Sequence, residues 1–443
     1  MDLKNSLKAK LLRTLGLSCA LGAAFLCGSP ARAQDDDGGT HVFRPNIHSV
    51  QLYARGSQVI APILQLSGGD QLDLDFDDLD GDVKNYGYLY ELRNEDWSPC
   101  NLNSMEYTKG FPNAQIANYK LSSIAIARYT HYHAHLPEDN YLPTKGGNYL
   151  LKVFQDGDPT NVVFQVRMLV VNNTMPVTAQ IQPPFTSEVY KSHQKVQFNV
   201  GTGNKQFVNA TQEVKVVIVQ NWCWAAAKYD IRPTFVRGNS LEYNPETDAV
   251  FPGTREWRWL DMRSFRFQSD RLARIDEGTD RIGVAVRTDK SRADYPYVTY
   301  QDYNGGYSIA ASESIVPSYQ GDYARVGFSY APPDGQPYDG KDLYIYGALS
   351  NYEFNDSTKM HWDADKKLYR TSLYLKQGYY DYFYVLRDGD GNLDFSQTEG
   401  NFYETENSYL ILVYYRPLGG RFDELVGLGR VNSLQTNNPQ GVQ

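Results

Sequence analysis

Two stretches decide how this chain folds: Leu373-Tyr-Leu-Lys-Gln-Gly-Tyr-Tyr-Asp-Tyr-Phe-Tyr-Val-Leu386 and Tyr409-Leu-Ile-Leu-Val-Tyr-Tyr-Arg-Pro417. Both are apolar runs rich in tyrosine, a residue type that suits the pleated, half-buried surface of a strand. Between them, Arg387-Asp-Gly-Asp-Gly-Asn392 has the Gly, Asp and Asn of a hairpin-like turn. Together they read as the end of an immunoglobulin-type sandwich, and nothing in them looks catalytic.

The same pattern extends upstream. Asn148–Phe154, Val162–Val166, Val214–Val219 and Tyr344–Tyr346 are short β runs separated by Gly, Asn, Asp and Pro clusters. Helical periodicity is scarce, and the 35 Tyr against 6 Trp are the aromatic signature of strands. The expected fold class is all-β, a series of immunoglobulin-like and E-set β-sandwich domains. A Pro-stiffened connection from Asn172 to Pro184 marks one boundary, and Ile315 to Gln320 marks a second. These predict domains over 41–175, 176–318 and 319–430, with a disordered tail at Gln34–Thr40 and untethered residues from about Val431.

The first 33 residues read as a secretory signal peptide. Lys4, Lys8, Lys10 and Arg13 precede an apolar run from Thr14 to Gly28, and Ala31-Arg-Ala33 supplies a cleavage site before Gln34. Removing them takes away five of 43 basic residues and one of 52 acidic residues, leaving a net charge of −13. Such acidity argues against nucleic acid and anionic membrane surfaces as partners. No later apolar run is long enough for a membrane helix. Cys100 and Cys223 remain after cleavage, in a compartment that permits a disulfide, but their spacing gives no support for a bridge.

Several motifs imitate chemistry. His131, His133 and His135 alternate, so a strand would turn all three to one face, where imidazoles can ligate zinc. Pro137 ends the run and no second ligand cluster stands out, so the expectation is structural or surface histidines and no metal. Asp388, Asp390, Asn392, Asp394 and Glu399 follow calcium-loop spacing, but Leu393 stands where the loop needs Gly, and the flanks are β runs. They read as a turn, as does the acidic run Asp77–Asp82. Gly335 to Lys341 imitates a phosphate loop but continues with Asp342 and precedes a strand. Trp222 and Trp224, which would share a face on a strand, and Trp362 are possible sugar platforms, although aromatics in sandwiches more often fill the core. No catalytic set and no cofactor motif assembles.

Three ordered blocks carry a family resemblance. The first is Tyr86-Gly-Tyr-Leu-Tyr90, Trp97 to Cys100, Tyr107 to Phe111, Tyr129-Thr-His-Tyr132 and Lys145-Gly-Gly-Asn-Tyr-Leu-Leu151. The second is Gly253-Thr-Arg-Glu-Trp-Arg-Trp-Leu-Asp261 with Arg263-Ser-Phe-Arg266. The third is Lys376 to Tyr382 with Thr405-Glu-Asn407 and Val413-Tyr-Tyr-Arg416. In this order they resemble the type IX secretion system plug protein family of Bacteroidota, with Lys145-Gly-Gly-Asn and Leu260 as mild departures from its pattern. The resemblance implies a non-enzymatic periplasmic protein that docks on the periplasmic mouth of the outer-membrane β-barrel translocon, one monomer per complex, and seals its pore when no cargo is in transit. It also implies an E-set third domain akin to starch- and glycogen-binding modules, which keeps a periplasmic carbohydrate-binding protein as the alternative. Within the matching blocks, Tyr129, His131, Tyr132, Trp257 and Arg258 are the residues expected at the partner interface.

Overall fold

The alternation of Leu72-Asp-Leu-Asp-Phe-Asp-Asp78 builds the first sandwich, because a strand sends every second side chain to the same face. Leu72, Leu74 and Phe76 point inward and are fully buried, as are Tyr132 and Leu136 on the strand beside them. The sheet runs in the order Ile47–Ala54, Leu72–Asp78, Thr130–Leu136, Asn118–Leu121, all antiparallel. Facing it is a sheet ordered His41–Val42, Val162–Val171, Gly147–Gln155, Tyr86–Arg93, Ala114–Ile116, with Ile63–Gln65 added in parallel to Val162–Val171. Tyr86, Tyr88, Tyr90, Val153 and Phe164 fill the space between the two sheets.

This is a computed structural model, and it describes residues 38–203, 205, 207–279 and 281–435. The expected signal peptide lies outside the described residues, and so does the start of the polar tail. Gly38 to Thr40 depart from the expectation of disorder: the Gly38 and Gly39 carbonyls accept from Arg167 Nε at 2.7 Å and Gln165 Nε2 at 2.9 Å. At the other end the strand Glu424–Asn432 includes Val431, and Ser433 Oγ donates to the Thr405 carbonyl at 2.8 Å. The residues just past Val431 are therefore tied down by the Thr405–Asn407 turn.

A second sandwich packs the sheet of Val177–Gln182, His193–Gly201, Ser240–Tyr243, Phe235–Arg237 and Val250–Pro252 against a three-stranded sheet ordered Val214–Gln220, Ser408–Tyr415, Glu424–Asn432. A third packs Arg258–Asp261, Gly378–Asp388, Tyr307–Ile309, Lys341–Tyr346 and Leu393–Asp394 against a sheet containing Leu272–Glu277, Ile282–Val286, Tyr323–Ala331 and Leu368–Lys376. The third sandwich is thus inserted in sequence within the second, and the span 319–430 contains strands of both. The two tyrosine-rich runs do not pair with each other. Ser408–Tyr415 pairs with Val214–Gln220, and Gly378–Asp388 pairs around the Gly/Asp turn only with the two residues Leu393–Asp394. Gln377 divides the first run into two strands of opposite sheets.

The sandwiches are welded by apolar seams. Trp97, Leu150 and Leu169 of the first meet Val217, Val219, Trp224 and Leu412 of the second. Cys223 of the second meets Trp257, Tyr346 and Phe383 of the third. The described residues belong to one compact unit. Among the described residues no helix is long and apolar enough to cross a membrane.

Candidate functional site

The alternating carboxylates of Leu72–Asp78 and the alternating histidines of Thr130–Leu136 occupy the outer face of the same antiparallel pair. Asp73 lies opposite His135, Asp75 opposite His133 and Asp77 opposite His131. The result is a three-rung ladder. Nδ1 of His131, His133 and His135 meets Asp77 at 2.8 Å, Asp75 at 2.7 Å and Asp73 at 2.6 Å. His131 Nε2 also lies 3.2 Å from Asp75, whose other oxygen accepts from the Tyr53 hydroxyl.

The inner rung is closed by the third sandwich. Asp77 and Lys376 are both about fully buried and ion-paired, and Tyr323 donates to the same Asp77 oxygen at 2.6 Å. The ammonium of Lys376 sits 4.1 Å from the centre of the Tyr129 ring, a cation–π contact. Tyr129 in turn donates to the Gly321 carbonyl at 2.7 Å. Burial pushes the Asp77 carboxyl up, but Lys376 and His131 more than offset it and hold it below the ordinary range. Burial lowers the Lys376 ammonium against the opposing pull of Asp77. For His131, burial favours the neutral ring, and the bonds to Asp75 and Asp77 outweigh it, so its pKa is raised.

Trp257 and Arg258 sit apart from this ladder, in the third sandwich. Trp257 stacks on Phe383 with ring centres 3.9 Å apart, and its amide donates to Asp302 at 2.6 Å. Arg258 Nε donates to Glu399 at 3.0 Å and Nη1 to Asp289 at 2.8 Å, with Arg271 and Arg292 flanking the two carboxylates. Burial raises Glu399, and Arg258 and Arg292 reverse the effect. Glu399 is therefore engaged far from any calcium loop. Asp388 accepts instead from the amides of Asp390 and Asn392 in its own turn, at 3.0 Å and 2.8 Å.

Tyr129, His131, Tyr132, Trp257 and Arg258 are all buried. The structure brings Tyr129 and His131 together at the Asp77–Lys376 pair, turns Tyr132 into the core on the opposite face, and leaves Trp257 and Arg258 in a separate network. Their side chains fix internal geometry and present no contact surface of their own. Trp222 and Trp224 do not share a strand face. Trp222 lies in a turn with φ of 59°, and Trp224 begins a short 3-10 helix and packs edge-on against Trp97 at 4.9 Å. Cys100 and Cys223 are free thiols, the latter 2.7 Å from the Tyr346 hydroxyl.

Surface chemistry that the sequence did not flag lies elsewhere in the first sandwich. The edge strand Asn118–Leu121 is exposed at all four positions and leads into a loop whose tip residue, Ile124, is 78 % exposed with φ of 60°. A β-branched residue in that conformation is strained, and the loop is held by Asp322, which accepts from the amides of Ile126 at 2.6 Å and Ala127 at 3.0 Å. Phe111 and Met105 are also exposed apolar side chains of this sandwich.

A groove of about 550 Å³ opens where the three sandwiches meet, lined among others by Gln51, Arg167, Trp222, Asp302 and Tyr303. Burial pushes the Asp302 carboxyl up to about 7 and that of Asp381 up to about 8. These two do not form a pair of groove carboxylates. Asp381 is fully buried outside the lining, and both accept backbone amides that shape the 302–305 loop.

The chain is an all-β protein of welded sandwiches with buried polar networks. Residues 47–172, within the first sandwich, match the family model of the type 9 secretion system plug protein 1st domain. No curated protein matches the chain. A crystal structure of a hypothetical protein from Parabacteroides merdae ATCC 43184 is similar at 27 % identity and a TM-score of 0.85, covering 89 % of this chain and 99 % of that one.

Proposed function

We propose that this protein is a non-enzymatic periplasmic plug, which docks on the periplasmic opening of the outer-membrane type IX translocon and seals the pore while no cargo is in transit. The observation that carries this reading is the match of residues 47–172 to the first domain of type 9 plug proteins. Three features support it. The seams between sandwiches make a stiff body, as a stopper requires. The exposed apolar residues of the first sandwich, chiefly Ile124 and Phe111, offer anchors on an otherwise polar surface. The buried residues Tyr129, His131 and Tyr132 support the strand Thr130–Leu136, on which the exposed edge Asn118–Leu121 is built. In this reading they act on the interface through that strand, and Trp257 and Arg258 act by keeping the third sandwich rigid.

The test is the permeability of a deletion strain to large hydrophilic antibiotics, with and without the translocon gene. A plug predicts increased sensitivity in the single deletion and none in the double deletion, together with co-purification of the protein and the translocon. Unchanged permeability would refute it. The groove lined by Trp222 and Tyr303 would then make glycan binding the next reading, to be checked by calorimetric titration with α-glucans.

A further inference from the structure

The outer end of the His–Asp ladder is built differently from its inner end. Around Asp77 the ladder is dry and closed by Lys376. At Asp73 and Asp75 it opens, and the side chains of His133 and His135 are 29 % and 43 % exposed. Their rings stand at 85° to each other, and the two Nε2 atoms face one another at 3.3 Å.

Each of these rings is held through Nδ1 by a carboxylate, Asp75 for His133 and Asp73 for His135. An ionised carboxylate only accepts, so Nδ1 carries the proton, and in the neutral ring Nε2 presents a lone pair. Two lone pairs at 3.3 Å repel, and either a shared proton or a metal ion between them removes the repulsion. Two nitrogens each bonded at about 2.05 Å to a tetrahedral zinc ion stand about 3.3 Å apart, the same spacing. The Nδ1–carboxylate bond is also the support that metal-bound histidines characteristically have, fixing ring orientation and making Nε2 more basic. The ladder's three carboxylates outnumber the Lys376 ammonium and the His131 ring that bridges Asp75 and Asp77, so the local field favours a further cation.

We propose that Nε2 of His133 and Nε2 of His135 form a binding site for a divalent transition-metal ion of the zinc type, with Asp75 and Asp73 orienting the rings through Nδ1 and the remaining coordination open to solvent. Two imidazole nitrogens suit such an ion and not calcium or magnesium, which take oxygen ligands. The other acidic group of the first sandwich, Asp78, Asp80 and Asp82, already holds a cation. Lys84 Nζ lies 2.8 Å from Asp78, 3.4 Å from Asp82 and in contact with Asp80. The proposal revises the expectation of purely structural histidines, because the strand opposite supplies the carboxylates that orient the two rings.

The experiment titrates zinc chloride into tag-free, chelator-washed protein by calorimetry near neutral pH, with calcium chloride in a parallel run. One equivalent of zinc and no calcium response is expected. His133→Gln and His135→Gln should each weaken zinc binding by about tenfold or more, whereas His361→Gln, in the third sandwich, should leave it unchanged. Circular dichroism of each variant separates loss of the site from loss of the fold. The absorption spectrum of the wild-type protein loaded with cobalt gives a readout that needs no variant, with the intense visible bands of tetrahedral nitrogen and oxygen coordination expected. Absence of stoichiometric zinc binding, or full binding in both histidine variants, overturns the proposal. A spectrum of hydrated cobalt likewise overturns it.

Discussion

Replacing Lys376 by Met tests whether one buried ion pair holds the first sandwich to the third. Lys376 and Asp77 are each 1 % exposed at the side chain, and their partners come from strands 299 residues apart. Methionine keeps the apolar stem and removes the charge, leaving Asp77 ionised in a dry site. Removing one partner of a buried pair costs about 3–5 kcal/mol. Here the low end, about 3 kcal/mol, is the expectation, because Tyr323 and His131 still bond to Asp77. With an unfolding entropy of ~2.1 cal/mol/K per residue over ~400 residues, this lowers Tm by about 4 °C. Scanning calorimetry and urea unfolding read the change, and limited proteolysis near Ser318 reports whether the junction opens. The Lys376→Met, Asp77→Asn double variant should recover at least half of the loss, since no charge is then stranded. A single-variant loss below about 1 kcal/mol, or simple additivity in the double variant, would refute the reasoning.

Arg258→Met strips the shared guanidinium from Asp289 and Glu399 and should cost about 3–5 kcal/mol by calorimetry. Arg258→Lys should recover little, because one ammonium cannot reproduce bonds to both carboxylates and to the Lys290 carbonyl. Asp381 has a folded-state pKa raised from 3.8 to about 8 by burial and by nearby Asp302. Its contribution to stability is therefore present below about pH 4 and lost as pH rises through about 8, by at most roughly 6 kcal/mol. Asp381→Asn stays neutral, so urea midpoints measured from pH 5 to pH 9 should fall less steeply than in the wild-type protein; parallel curves would count against it. Asp322→Ala frees the amides of Ile126, Ala127 and Tyr323, and hydrogen exchange there should accelerate while the rest of the strand Tyr323–Ala331 stays protected.

How much of this was legible in the chain depends on the distance over which the information acts. Strands were legible because a two-residue period is local: Val214–Gln220, Gly147–Gln155 and Lys341–Tyr346 each contain a run whose composition alone predicts it. Strand partners were not. Tyr409–Tyr415 follows the Gly/Asp turn closely enough to suggest a local hairpin, yet it pairs with Val214–Gln220, nearly 200 residues earlier, because only that edge completes the core of Val196, Phe198 and Ile218. The same non-locality hid the histidine site. The run at 131–135 carries a visible period, and Leu72–Asp78 carries the matching one, with Asp at 73, 75 and 77. Neither run gives the register, and a slip of one residue would turn all three histidines into the core. The register is set instead by the inward set, Leu72, Leu74 and Phe76 against Tyr132, Ala134 and Leu136. Burying those six side chains forces the polar ones into facing pairs outside. The ladder is thus a by-product of core packing on one face of the sheet, which explains why its inner rung can serve as a joint to the third sandwich while its outer rung remains open for a ligand.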